Sequence, residues 1–86
     1  MYNYKKLEKN LLDLLFSLQA TIPKGIYIEA REYIEDHGEY GIALELLCDV
    51  LCEENISIKP SVLERIKSIS DTMKLDSDIW KHISTS

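Results

Sequence analysis

The chain has 86 residues, 45% of them hydrophobic and 29% charged, and carries a formal net charge of −5. That length holds one small domain with a radius of gyration of about 12 Å, which leaves no room for a cleft between lobes, and the hydrophobic fraction is too high for a disordered chain. The acidic balance argues against direct contact with nucleic acid, whose phosphates call for a basic surface.

Along the chain the spacing of apolar residues is helical almost throughout. Tyr4, Leu7, Leu11, Leu14, Leu15 and Leu18 mark one helical face, so a first helix is expected over about 3–19 with Asn3 as its N-cap. Pro23 disfavours helix at Ile22 and suits the first turn of a second helix, expected over about 23–37. Its apolar face is Ile26, Tyr27, Ala30, Tyr33 and Ile34, and Gly38 stops it by taking the left-handed conformation. A third helix follows at about 39–54, with Tyr40, Ala43, Leu44, Leu47, Cys48 and Leu51 on its main face and Ile42, Leu46 and Val50 in a row beside it. Only the strip at Glu45, Asp49 and Glu53 is left for solvent, which places this helix at the centre of a bundle.

After a loop at Asn55–Lys59, either Pro60 at the first helical position or a Ser61–Glu64 capping box opens a fourth helix. Its core face is Val62 or Leu63 with Ile66, Ile69 and Met73. Asp76 caps a short last helix carrying Ile79, Trp80 and Ile83. The expectation is an all-α fold, a single-domain bundle of about five helices over residues 1–86.

No apolar run approaches the length of about 18 residues that a membrane span needs. Leu11–Leu18 imitates the apolar part of a signal peptide, but Asp13 interrupts it and no small-residue cleavage site follows. Two cysteines are few for a small secreted domain, so a cytoplasmic protein is expected.

The charge is unevenly spread. Residues 1–20 and 55–86 each balance to +1. Residues 21–54 carry only Lys24 and Arg31 against Glu29, Glu32, Glu35, Asp36, Glu39, Glu45, Asp49, Glu53 and Glu54, a balance of −7. Like charges at i, i+4, as at Glu45, Asp49 and Glu53, oppose helix stability by a few tenths of a kcal/mol per pair. Glu29, Glu32, Asp36, Glu39, Glu45, Asp49 and Glu53 therefore form the candidate docking surface for a basic partner, with Tyr33 and Tyr40 as aromatic anchors or core residues, the alternative being a plainly solvated helix surface.

Other constellations read as structural. Cys48 and Cys52, at i, i+4, lack the further ligands of a zinc site and are poorly placed for a disulfide within one turn; buried thiols are expected. His37 falls in the last turn of the second helix, where the helix dipole favours a cation. The carboxylate rows look solvated rather than paired in a cleft, and no nucleophile, metal or phosphate-binding motif is present. No catalytic residue, metal or cofactor is expected.

The stretch Glu32-Tyr33-Ile34-Glu35-Asp36-His37-Gly38-Glu39-Tyr40-Gly41-Ile42-Ala43-Leu44-Glu45-Leu46-Leu47-Cys48-Asp49 resembles the core of MafI-type immunity proteins of bacterial polymorphic toxin and contact-dependent growth inhibition systems. Ile22-Pro23 before it, and Leu75-Asp76 and Trp80 after it, match the rest of the pattern, so the resemblance covers about residues 22–80. Asp36 before His37-Gly38 and the Cys48–Cys52 run depart from it. The resemblance implies a helical protein that binds one cognate toxin C-terminal domain, often a nuclease and RNases in particular, and blocks it. It supplies no catalytic residues. A basic nuclease site and an acidic face are complementary, and opposite charge speeds their association.

Two rivals come from the same residues. One is a helical adaptor that binds another basic protein. The other is a DNA-binding helix-turn-helix, which the third helix opposes because it carries five acids and no Lys or Arg.

Overall fold

Three of the four helices end where a residue turns left-handed, and those ends set the path of the chain. In the computed structural model, which describes residues 4–86, α1 spans Tyr4–Leu18, α2 Lys24–Glu35, α3 Tyr40–Glu53 and α4 Pro60–Thr72. Gly38 (φ 61°), Asn55 (φ 51°) and Lys74 (φ 57°) follow α2, α3 and α4. Beyond α3 the Ile56 amide donates to the Leu51 carbonyl, and beyond α4 the Leu75 amide donates to Ser70, which is the closing bond of a Schellman motif in each case. The α2 end is wider: the Glu39 amide reaches back to the Tyr33 carbonyl at 2.8 Å.

The core follows the predicted spacing with exceptions: Tyr4, expected on the apolar face of α1, is 60% exposed, and Ile26, Tyr33, Tyr40, Val62, Leu63 and Met73 are only half-buried. Leu7, Leu11, Leu14, Leu15 and Leu18 of α1 are buried with Tyr27, Ala30 and Ile34 of α2, the six α3 residues Ala43, Leu44, Leu47, Cys48, Val50 and Leu51, and Ile66 and Ile69 of α4. The helix α3 touches every other helix, with its most extensive contact on α2. Ile42, expected in an apolar row, is instead 44% exposed. The radius of gyration is 11.7 Å.

Pro60 occupies the start of α4, and the N-cap Lys59 makes no side-chain cap; Glu64 pairs with Lys67 rather than closing a capping box. Asn3, expected to cap α1, lies outside the described residues.

Two expectations are corrected. The helix α2 ends at Glu35, so Asp36 is its C-cap and His37 lies past the last turn. The wide closure from Tyr33 to Glu39 consumes residues 36–38 as a turn. The fifth helix is a single 3₁₀ turn, Ser77–Ile79, so the described residues form four α-helices and this turn. Asp76 does cap it, accepting from the Asp78 amide at 2.8 Å. Just beyond it the Lys81 amide still donates to Ser77 and the Ile83 amide to Trp80, before residues 84–86 turn to Ile58. The Ile58 amide donates to Ser84 and the Ser86 amide to Ile58, each at 3.0 Å, in a lone parallel bridge between Ile58 and Thr85.

Candidate functional site

The surface of α2 and α3 follows from their periodicity. With 3.6 residues per turn, Glu29, Glu32 and Asp36 fall opposite Tyr27, Ala30 and Ile34, and Glu45, Asp49 and Glu53 fall opposite the six buried residues of α3. All six carboxylates are exposed, as is Glu39, the N-cap of α3. The structure thus brings Glu29 and Glu32 together on α2 with Asp36 at its C-cap, and three of the proposed residues together on α3, with Glu39 at the junction.

Ion pairing leaves these acids alone. The pairs among the described residues are Arg31–Glu35, Lys67–Glu64 and Lys81–Asp78, and none includes the seven carboxylates. Arg31, one of only two cations in this part of the chain, is held by Glu35, whose hydrogen bond and charge raise its pKa.

Both strips also run to the wrong helix end for stability. Neither α2 nor α3 has a basic residue in its last turn. Instead Glu35 and Asp36 finish α2, and Glu53 and Glu54 finish α3. The C-terminal end of a helix carries partial negative charge, and an acid there is unfavourable by roughly 0.3–1 kcal/mol before screening by salt. Only Glu39, at the start of α3, sits where the dipole favours it.

The strip reaches the thiols beneath it. Burial, then the neighbouring Cys52, Asp49 and Glu45, push the Cys48 thiol up to about 12. Burial first, and then Asp49 and Glu53, raise Cys52 as well. Both cysteines are free, Cys48 buried and Cys52 half-buried. No group of three or more His, Cys, Asp or Glu suited to a metal ion exists among the described residues.

The aromatic residues near the acids are half-buried. Tyr40 packs against Tyr4, with ring centroids 6.2 Å apart, and its hydroxyl donates to Glu8, so it braces α3 against α1. Tyr33 lies 6.3 Å from the His37 ring. Trp80, also half-buried, lies under the Lys67 ammonium at 5.0 Å.

Sequence reasoning passed over two exposed apolar side chains, Phe16 (55% exposed) and Ile28 (45%). The signal for both was present: each is a large apolar residue off the stripe of its own helix. Two shallow grooves share Tyr27 and Ile28. One, of about 250 Å³, is lined also by Arg31, Glu32, Glu35 and Asp36, and the other, of about 310 Å³, by Gln19, Ile22 and Lys24. No helix among the described residues is long and apolar enough to cross a membrane. Compared with models of protein families, with curated proteins and with solved structures, the chain matches none.

Proposed function

We propose that this chain is a MafI-type immunity protein that binds a cognate toxin C-terminal domain in the cytoplasm and neutralises it by stoichiometric complex formation. It acts by binding, not by catalysis, and the toxin is a nuclease with a basic surface, in the RNase class that the resemblance implies. Glu29, Glu32, Asp36, Glu39, Glu45, Asp49 and Glu53 face that surface.

One observation carries the reading beyond the resemblance of residues 32–49. Exposed carboxylates without ion-pair partners among the described residues line α2 and α3 and continue to the C-terminal ends of both helices, where they oppose helix stability. A surface shaped for stability alone intersperses signs and places cations at those ends. Opposite charge on a partner offsets the repulsion and steers association.

The test is co-purification with the product of the adjacent upstream gene, followed by survival of cells expressing that toxin with and without this protein. A tight complex with equal amounts of each chain, together with rescued growth, is expected. A complex with a basic protein but no rescue supports a helical adaptor instead. No complex and no rescue contradict the proposal.

A further inference from the structure

We infer that the groove centred on Ile28 seats one large apolar side chain projecting from a basic segment of the protein partner, with the segment's cations lying toward the C-terminal end of α2. This rests on the reading of the acidic helices as a docking surface and adds to it an anchor that charge alone does not supply.

Ile28 and Phe16 expose large apolar area on a chain whose other core-sized side chains mostly find cover. Phe16 reaches the Tyr27 ring at a centroid distance of 6.5 Å, so the end of α1 adjoins the same part of α2. Tyr27 is itself buried and forms the floor on both sides of Ile28. An apolar shelf with a buried aromatic floor suits a side chain of leucine or tryptophan size.

The charge around the shelf is polar in direction. Toward Lys24 the lining is Gln19, Ile22 and a single cation. Toward Asp36 the lining holds Arg31, Glu32, Glu35 and Asp36. Arg31 is taken up by Glu35, which leaves Glu32 and Asp36 unpaired there, and the negative end of the α2 dipole adds to them. The rise of about 1.5 Å per residue puts Asp36 roughly 12 Å beyond Ile28 along the helix. The fitting occupant is therefore an apolar anchor followed by Lys or Arg about two helical turns away, an arrangement that an amphipathic basic helix provides.

The experiment titrates the full chain with three synthetic peptides, each about a dozen residues long, and follows backbone amide shifts by NMR. The first carries a leucine anchor followed by lysines, the second replaces the leucine with alanine, and the third replaces the lysines with glutamates. The first peptide is expected to move Gln19, Ile22, Tyr27, Ile28 and Asp36, and to bind about tenfold more tightly than the second, as partial burial of one leucine implies. Ile28→Ser, at an exposed position that lines both grooves, is expected to abolish that tenfold preference and to leave the fold intact by circular dichroism.

Equal binding of the leucine and alanine peptides along Glu45–Glu53 overturns the groove and leaves the acidic docking surface standing. Equal binding of the glutamate peptide overturns the basic occupant. Shifts at Ile28 on dilution of the chain alone assign the shelf to a second copy and overturn the proposal. Absence of binding by all three also overturns it, whereas the docking reading itself is decided separately by co-purification.

Discussion

The Tyr40 hydroxyl donates to Glu8 Oε1 at 3.4 Å, joining the first residue of α3 to the second turn of α1. Desolvation, then the charge of Glu8 and this hydrogen bond, raise the Tyr40 pKa above its ordinary value. A raised pKa means that the folded state binds the phenolic proton more tightly, so the stabilisation is complete below the unfolded pKa and is lost as pH rises through the folded one. Tyr40→Phe is expected to lower stability by about 0.5 kcal/mol, the small end of the hydrogen-bond range because the pair is long and partly solvated. Urea denaturation checks this, and the loss is expected to be absent in a Glu8→Ala background, where no side-chain acceptor remains.

Lys74 adopts a backbone conformation that glycine takes without steric cost, at the left-handed position after α4. Lys74→Gly is expected to raise stability by roughly 0.5–1 kcal/mol, net of the extra entropy of the unfolded chain. A rise in the thermal midpoint of a few degrees reads out the effect.

Ser70 is fully buried, and its hydroxyl has no hydrogen-bond partner among the described residues. Leaving a buried hydroxyl unsatisfied costs about 1–3 kcal/mol, and alanine is the better helix former. Ser70→Ala is therefore expected to stabilise the protein by up to about 1 kcal/mol in denaturant unfolding. Ser70→Val, which adds volume at the same place, is expected to destabilise it.

The two thiols differ in access. With Cys48 pushed up to about 12 and sealed in the core, and Cys52 half-buried, a thiol reagent at pH 8 is expected to label Cys52 first and Cys48 only upon unfolding. The Cys48 shift also has a stability consequence. Because the folded pKa is the higher one, its contribution is intact below the unfolded value of 9.0 and is lost progressively as pH rises toward 12. Denaturation midpoints of the native chain and Cys48→Ala, followed from pH 8 upward, are expected to converge as the thiolate becomes the unfolded form.

Periodicity carried the helices, because a leucine every three or four residues from Leu7 to Leu18 admits one packing face. It carried the acidic strips for the same reason, since Glu45, Asp49 and Glu53 are what remains when the apolar face of α3 is assigned. It did not carry the end of α2, where residues 36–38 are spent closing a bond from Glu39 to Tyr33. Nor did it carry the last turn, because the bonds between Ile58 and residues 84–86 join segments distant in sequence. Phe16 and Ile28 were visible only as residues out of register. The partner's chemistry is not written in the strip; charge marks only where a basic surface would dock under the proposed reading, and the kind of partner comes from the resemblance.

The acids at the helix ends separate stability from binding. Glu53→Lys replaces an unfavourable charge in the last turn of α3 by a favourable one, so it is expected to stabilise the free protein by a few tenths of a kcal/mol while weakening the complex.

The most direct measurement of the central claim is the affinity of the Glu45→Lys, Asp49→Lys, Glu53→Lys triple variant for the proposed toxin partner identified by co-purification, taken together with protection of cells that express it. A folded variant that binds about a hundredfold more weakly, associates more slowly and no longer protects is the expected result. Unchanged affinity and unchanged protection would contradict it.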